Sequence, residues 1–456
     1  MTRLVLPALL CVLWAFPRHA GSQELEDSAT IAAAADSIAA ELLEGPPRVA
    51  GVAIAVQRGG ERIFEGAYGF ADVVSQEPLS PSDPLQIASI TKQFTAAAIL
   101  QLVEEGKVGL EDSVQAYLPD FDTQGHTVTL RHLLNHTSGI RSYTAIFGTN
   151  PVPRETLLDS IQSHAYDFEP GEAYRYNNSG YYLLGVILEA ATGERYGDYM
   201  AGRFFRRLGL EATTLCGHRA AVVPSGYQPT SSGLEPAVLS DMEYPGAAGG
   251  LCSTVDDLLD WQEALVAGDV VSPEAYGAMT TPTVLSARRA TAYGYGLQLA
   301  RLGDYPRVWH GGGTVGFSAF LSYYPEQDLG IAILANTSTA RLPAVEEVLA
   351  RAALGLERFV KRDLPLDAEQ RAAYVGTYDL GSRLFRVFDQ DGTLIAEPTG
   401  QRPVRLMYQG DDAFRPDLPA DILIEFHVEN SRAGSLTLHQ GGQAVEAPRL
   451  AVDDRP

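Results

Sequence analysis

The sequence predicts an α+β fold: an antiparallel β-sheet flanked by helices, a mainly helical block inserted between its strands, and a small all-β domain at the C-terminal end. Three observations carry that prediction. A hairpin pattern stands near the start, and four strand-like runs separated by turn residues lie between residues 293 and 336. Helical segments and loops fill most of the interval between them.

The elements follow in order. Arg3 and the apolar run Leu4–Phe16, with Ala20-Gly21-Ser22 before Gln23, form the pattern of a cleaved export signal over residues 1–22. The run is short of the ~20 residues a membrane span requires, and no later segment approaches one. The alanines after Ile31 predict an N-terminal helix. Val49–Val56, Arg58-Gly59-Gly60 and Arg62–Tyr68 then read as a β-hairpin. Ser89–Glu105 reads as a helix with little polar face, hence a buried central one, stopped at Gly106. Tyr181–Ala191 is the clearest helix of the inserted block. Strands follow at Tyr293–Leu299, Val308–His310, Phe317–Tyr324 and Leu329–Asn336, then a closing helix over Pro343–Leu354. A boundary falls near Asp363. Beyond it, runs such as Leu384–Phe388 and Ile422–Phe426 alternate with turns at Asp391-Gly392 and Gly441-Gly442, the pattern of a meander or barrel over residues 364–456.

Composition excludes some functions. The formal net charge is −23, so the chain repels phosphate backbones and anionic lipid, and no basic run offsets this; nucleic acid is not an expected partner. Past the signal only Cys216 and Cys252 remain, a pair that suits a disulfide in an oxidising compartment and equally two buried thiols. Neither stands at metal-ligand spacing, and neither a metal nor another cofactor is expected.

Chemistry concentrates in three places. Only three lysines occur, Lys92, Lys107 and Lys361, and the first closes the tetrad Ser89-Ile90-Thr91-Lys92. Residues three apart are neighbours on a helix. A serine hydroxyl needs an adjacent base, and a lysine desolvated on an apolar helix loses its proton readily enough to serve. Tyr176-Asn177-Asn178 comes next: a phenol beside an amine can relay a proton, and an amide can hold a substrate carbonyl. His310-Gly311-Gly312-Gly313 is third. Its glycines allow a substrate backbone to lie along a strand edge, with the Gly313 N–H joining the Ser89 N–H as oxyanion donors.

In this order and spacing the three elements resemble the serine β-lactamase and penicillin-binding-protein superfamily, in its class C-like branch. Leu130–Ile140, Asn178–Gly185, Leu208–Leu210, Gly249–Leu258 and Gly313–Phe317 resemble that family too, so the likeness extends over residues 30–355. It implies the β-lactamase/transpeptidase-like fold, with Ser89 as nucleophile and Lys92 with Tyr176 as the general-base pair. Asn178, His310, Gly311 and Gly312 become substrate contacts. One departure bears on substrate: His310 stands where β-lactamases of the branch carry lysine, and histidine is more frequent in its peptidase-like and esterase-like members. Histidine holds a carboxylate only when protonated.

Three rivals are weaker. His310–Gly313 is similar to a lipase oxyanion loop, but that loop precedes its nucleophile, and the chain has no Gly-x-Ser-x-Gly elbow. His132 and His136 are spaced as on a zincin helix, yet Leu133 stands where the catalytic glutamate belongs. A non-catalytic sensor of cell-wall fragments would not need every catalytic group that is present here. The expectation is therefore a periplasmic or secreted serine hydrolase working through an acyl-enzyme on Ser89. Its substrates are small molecules or peptides: D-amino-acid-type peptides or esters, with β-lactams as the alternative. The loop around Tyr143–Phe147 is where that preference would be tuned.

Overall fold

The structure, a computed structural model, describes residues 20–450 apart from 46–47, 149, 218–222, 239–241, 243, 287, 289, 339, 358–361, 381–383, 418–421, 430 and 441–442. Residues 1–19 of the expected signal peptide lie outside the described residues. Ala20–Ser22 fall in the first turn of helix α1 (Ala20–Glu44). Among the described residues no helix is long and apolar enough to cross a membrane.

The first strand, β1 (Gly51–Arg58), is an unbroken small-apolar run, and its residues are buried on both faces as far as Gln57. It pairs with β2 (Glu61–Asp72) across Gly59-Gly60, both at positive φ, which a tight hairpin demands. With β3 (Glu77–Pro78), β4 (Gln298–Leu302), β5 (Tyr305–Thr314), β6 (Phe317–Tyr324) and β7 (Leu329–Ala335) it forms one antiparallel sheet in the order β3-β2-β1-β7-β6-β5-β4. The β1–β7 ladder, Val52 opposite Ala335 to Arg58 opposite Leu329, joins the two ends of the domain. Each face of the sheet has a core. On one, Ile31, Ala35 and Ile38 of α1 pack with Val345 and Leu349 of the closing helix Leu342–Ala353 and the outward residues of β1 and β7. On the other lies α2 (Thr91–Glu104), buried at every residue from Thr91 to Leu102, with Phe94 stacked on Trp261 at 3.8 Å.

Two strand expectations need correction. Tyr293–Leu297 is not strand; β4 begins only at Gln298. A Cβ on Gly296, at φ +72°, would lie 2.7 Å from the Lys92 carbonyl oxygen, and one on Gly294 would overlap the Met279 carbonyl. The alternating glycines therefore seat a loop on α2 rather than pleat it. Conversely, the strand expected at Val308–His310 is longer, β5 running on through the three glycines to Thr314. Gly311 faces Phe320, Gly312 faces Ala319 and Gly313 faces Ser318 on β6, whereas the β4 ladder stops at Trp309.

Cys216 and Cys252 form a disulfide, their Cα atoms 5.2 Å apart. At the C-terminal end eight strands, β8 to β15, run from Gly376–Asp379 to Gln443–Pro448 and pair in chain order. A bridge between Tyr378 and Arg449 joins first to last, which makes the meander a barrel. Its core, with Tyr378, Phe414, Phe426 and Leu436, is a separate cluster.

Candidate active site

Ser89 sits in a 3-10 turn, Ala88–Ile90, that opens into α2 at Thr91. The chain reaches it from the short strand Leu85–Gln86, which pairs with Cys252–Ser253. The Ile87 N–H then donates to the Leu251 carbonyl at 3.0 Å, and the Leu251 N–H to Thr91 Oγ1 at 3.2 Å. This clamp holds Ala88 at φ +45°, where a non-glycine residue costs roughly 1–3 kcal/mol. Such strain persists only where its surroundings impose it. The turn leaves Ser89 half-buried at the mouth of a cavity while its neighbours are buried.

Lys92, one turn on, is fully buried, and burial drives its pKa well below that of a free lysine. Its Nζ lies 2.8 Å from Asn178 Oδ1, 2.7 Å from the Ala248 carbonyl and 3.0 Å from Ser89 Oγ. A neutral amine has two hydrogens and one lone pair. The amide and carbonyl oxygens can only accept, so they take the hydrogens. In the neutral form the lone pair would then face the serine hydroxyl, 3.0 Å away.

Tyr176 and Asn178 arrive from the inserted block at the start of α4 (Asn178–Thr192), which follows shorter helices at Leu130–Leu134 (α3), Thr144–Phe147 and Arg154–Ser163. Asn177 caps α4, accepting from the Gly180 N–H at 3.1 Å. Lys92 Nζ is 4.9 Å from the Tyr176 ring centre. Tyr176 is half-exposed as a residue, but its hydroxyl is buried and makes no hydrogen bond of normal geometry. Burial raises its pKa, and the Ser89 side chain opposes that rise without cancelling it. The phenol is therefore protonated beside a lysine whose pKa burial holds well below its usual value. Behind it the His136 ring packs, tilted, against Tyr176 at 4.4 Å and Tyr293 at 4.6 Å, and its Nδ1 accepts from the Asn177 N–H at 3.2 Å.

Opposite the helix stands β5. A methyl on Gly312 would overlap the Ile87 carbonyl oxygen, whereas one on Gly313 meets nothing within 4 Å. Gly312 is thus required by the protein's own nucleophile turn, and Gly313 is the exposed member of the run. His310 is buried, with Nδ1–H donating to the Gly311 carbonyl at 2.7 Å and Nε2 lying 3.1 Å from the Tyr293 hydroxyl. Burial first, and the nearby Lys92 second, push its pKa down to about 3. As placed, both its nitrogens serve the protein and it carries no charge.

The structure thus gathers Ser89, Lys92, Tyr176, Asn178 and β5 around one point. The cavity along β5, about 380 Å³, is lined by Ser89, Tyr176, Trp309, Phe320 and the glycines. Two contributors had no sequence signal or a misread one. The Ala248 carbonyl is backbone and leaves none. Tyr293 had one, the Tyr-Gly-Tyr-Gly alternation, which marks close backbone approach as readily as a strand. His132 and His136 do not form a metal site, and among the described residues no group of three or more His, Cys, Asp or Glu side chains could hold a metal ion.

Comparison with known proteins agrees with this geometry. The beta-lactamase family model matches residues 36–355. The chain is 29% identical over 423 residues to penicillin-binding protein 4* of Bacillus subtilis, covering 86% of this chain and 93% of that one. It is 28% identical to a D-aminopeptidase of Gluconobacter oxydans over 72% of this chain, and spans 62% of that protein's length. The structure superposes on the octameric penicillin-binding protein homologue from Pyrococcus abyssi with a TM-score of 0.67 and 26% identity, over 91% of this chain and 99% of that one.

Proposed function

The chain belongs to the beta-lactamase family of serine hydrolases, and on that premise we propose that it cleaves D-amino-acid-type peptides or esters through an acyl-enzyme on Ser89. The observation that carries the proposal is the buried Lys92, whose Nζ is held by Asn178 Oδ1 and the Ala248 carbonyl and stands 3.0 Å from Ser89 Oγ. Lys92 takes the serine proton as Oγ attacks the substrate carbonyl carbon. The Ser89 and Gly313 N–H groups hold the oxyanion. Tyr176, a neutral phenol in contact with the amine, passes its proton to the leaving nitrogen or oxygen as its bond to carbon breaks, and takes the serine's proton back from Lys92, which is again an unprotonated amine. Water then attacks the ester, returning its proton through Lys92 and freeing Ser89.

His310 supports the choice of substrate. A buried neutral imidazole provides no fixed cation beside the glycine strand, so a leaving group ending in a carboxylate gains no ion pair there. Amides and esters with an uncharged leaving group suit this site better than a β-lactam. The D-aminopeptidase relative agrees with that reading. Export to the periplasm or medium is part of the proposal, supported by the Cys216–Cys252 disulfide, a bond that persists in oxidising compartments.

Intact mass of the protein recovered outside the cytoplasm tests both parts. A mature chain starting at Gln23 is expected, with an acyl adduct on Ser89 after brief exposure to a D-amino-acid amide or activated ester, absent in Ser89→Ala. A long-lived adduct with penicillin and none with the amide or ester would point to a penicillin-binding peptidase instead. Ligand binding that survives Ser89→Ala, with no turnover by the wild type, would leave a sensor.

A further inference from the structure

Tyr176 lines two cavities of opposite character, one of which also holds Ser89. The one along β5 has no charged group in its lining apart from the neutral His310. The other, about 660 Å³, lies across Tyr176 and Asn178 and is walled by Arg141, Thr144, Asp167 and Arg175. Its two guanidinium groups share one carboxylate. Arg141 Nη2 is 3.2 Å from Asp167 Oδ1 and Arg175 Nη1 is 2.8 Å from Oδ2; the arginine side chains are 48% and 60% exposed, and Asp167 only 9%. Two positive charges against one negative leave one uncompensated positive charge on the cavity wall. The chain as a whole carries −23, so this wall runs against the field of the molecule around it.

The backbone fixes the arrangement, since the Asp167 N–H donates to the Gly139 carbonyl at 2.7 Å and the Arg175 N–H to the His136 carbonyl at 3.0 Å. Asn178 ties the cavity to the chemistry. Its Oδ1 is held by Lys92, while its Nδ2 points to Thr144 Oγ1, 3.3 Å away on the charged wall. The amide of Asn178 thus lines the same cavity as the two arginines.

We propose that this second cavity is a subsite for a carboxylate carried on the acyl part of the substrate, gripped by Arg141 and Arg175, with Asp167 positioning the two guanidiniums. The subsite rests on the reading of Ser89 as the nucleophile. Planar guanidinium forks match a carboxylate in two-point geometry, which a single lysine would not. Because the arginines are half in solvent, the gain is modest, about tenfold for the pair.

Two esters with one leaving group test it: p-nitrophenyl hydrogen glutarate, with an acyl carboxylate, and neutral p-nitrophenyl valerate. The quantity read is the ratio of their kcat/KM values, glutarate over valerate. It is expected to exceed one at low salt, to fall about tenfold in Arg141→Gln/Arg175→Gln chiefly through KM, and to rise in Asp167→Asn, which frees a second positive charge. General damage to the fold lowers both rates but does not move the ratio in opposite directions. A ratio that is unmoved, or moves the same way in both variants, overturns the subsite while leaving the hydrolase intact. A wild type that reacts with neither ester overturns the hydrolase reading and the subsite together.

Discussion

The helix under Ser89 and the glycine strand facing it each bury a nitrogen base, Lys92 and His310, and burial pushes the pKa of both down. What separates them is where the remaining lone pair goes. Two pure acceptors occupy the hydrogens of Lys92 and turn its lone pair to the serine. On His310, the Gly311 carbonyl takes the Nδ1 hydrogen and Tyr293 occupies Nε2, so nothing is left for a substrate. Desolvation alone therefore does not make a catalytic base; the satisfied partners around it do. The helix side should govern rate, and the strand side should govern fit and acid stability.

The largest test of that contrast is Lys92→Met. Loss of the base should lower kcat about 10³–10⁴-fold for any ester or amide. The same change should alter stability against pH. If Lys92 is neutral in the fold at pH 7, the unfolded chain binds the extra proton below pH 10.5, and wild-type stability rises with pH up to that value. That slope, about 1.4 kcal/mol per pH unit between pH 7 and 9, should be missing in denaturant titrations of Lys92→Met. An unchanged slope would mean that Lys92 is charged in the fold, and the comparison with His310 would fail.

Next in size is Gly312→Ala on the strand. The new methyl drives against the Ile87 carbonyl and must shift the turn holding Ser89, so kcat should fall about 100-fold, as a displacement near 1 Å can cause. Gly313→Ala, which meets nothing, is the matched control for sterics in burst-phase measurements. Equal losses in the two would put the constraint in the substrate and not in the turn.

The smallest effect on rate belongs to His310→Gln, less than tenfold at neutral pH. Its signature lies in acid. The folded pKa of about 3 is below the ordinary 6.5, so the unfolded chain is protonated first, and this part of the stability is lost as pH falls from 6.5 toward 3. The glutamine variant should lose less stability than wild type between pH 7 and 4, read as the change in denaturation midpoint.

Periodicity and turn residues made much of this architecture legible. The hairpin at Gly59-Gly60, the buried helix closed by Gly106, the late strands and the C-terminal meander follow from local patterns that the fold does not override. The glycine-rich segments were misread, and for a common reason. Gly294, Gly296 and Gly312 are set by which carbonyl lies against them, Met279, Lys92 or Ile87, and those contacts join residues far apart in the chain.

By itself the sequence determined the chemical inventory: a serine and lysine one helical turn apart, a tyrosine and asparagine at the head of a helix, a histidine before three glycines. Residue types and short spacings suffice for that, because helix and strand geometry act over a few residues. Only the tertiary structure decided the charge on each base and what it faces. Those depend on desolvation and on acceptors such as the Ala248 carbonyl, 156 residues from Lys92, which come together only when the chain closes on itself.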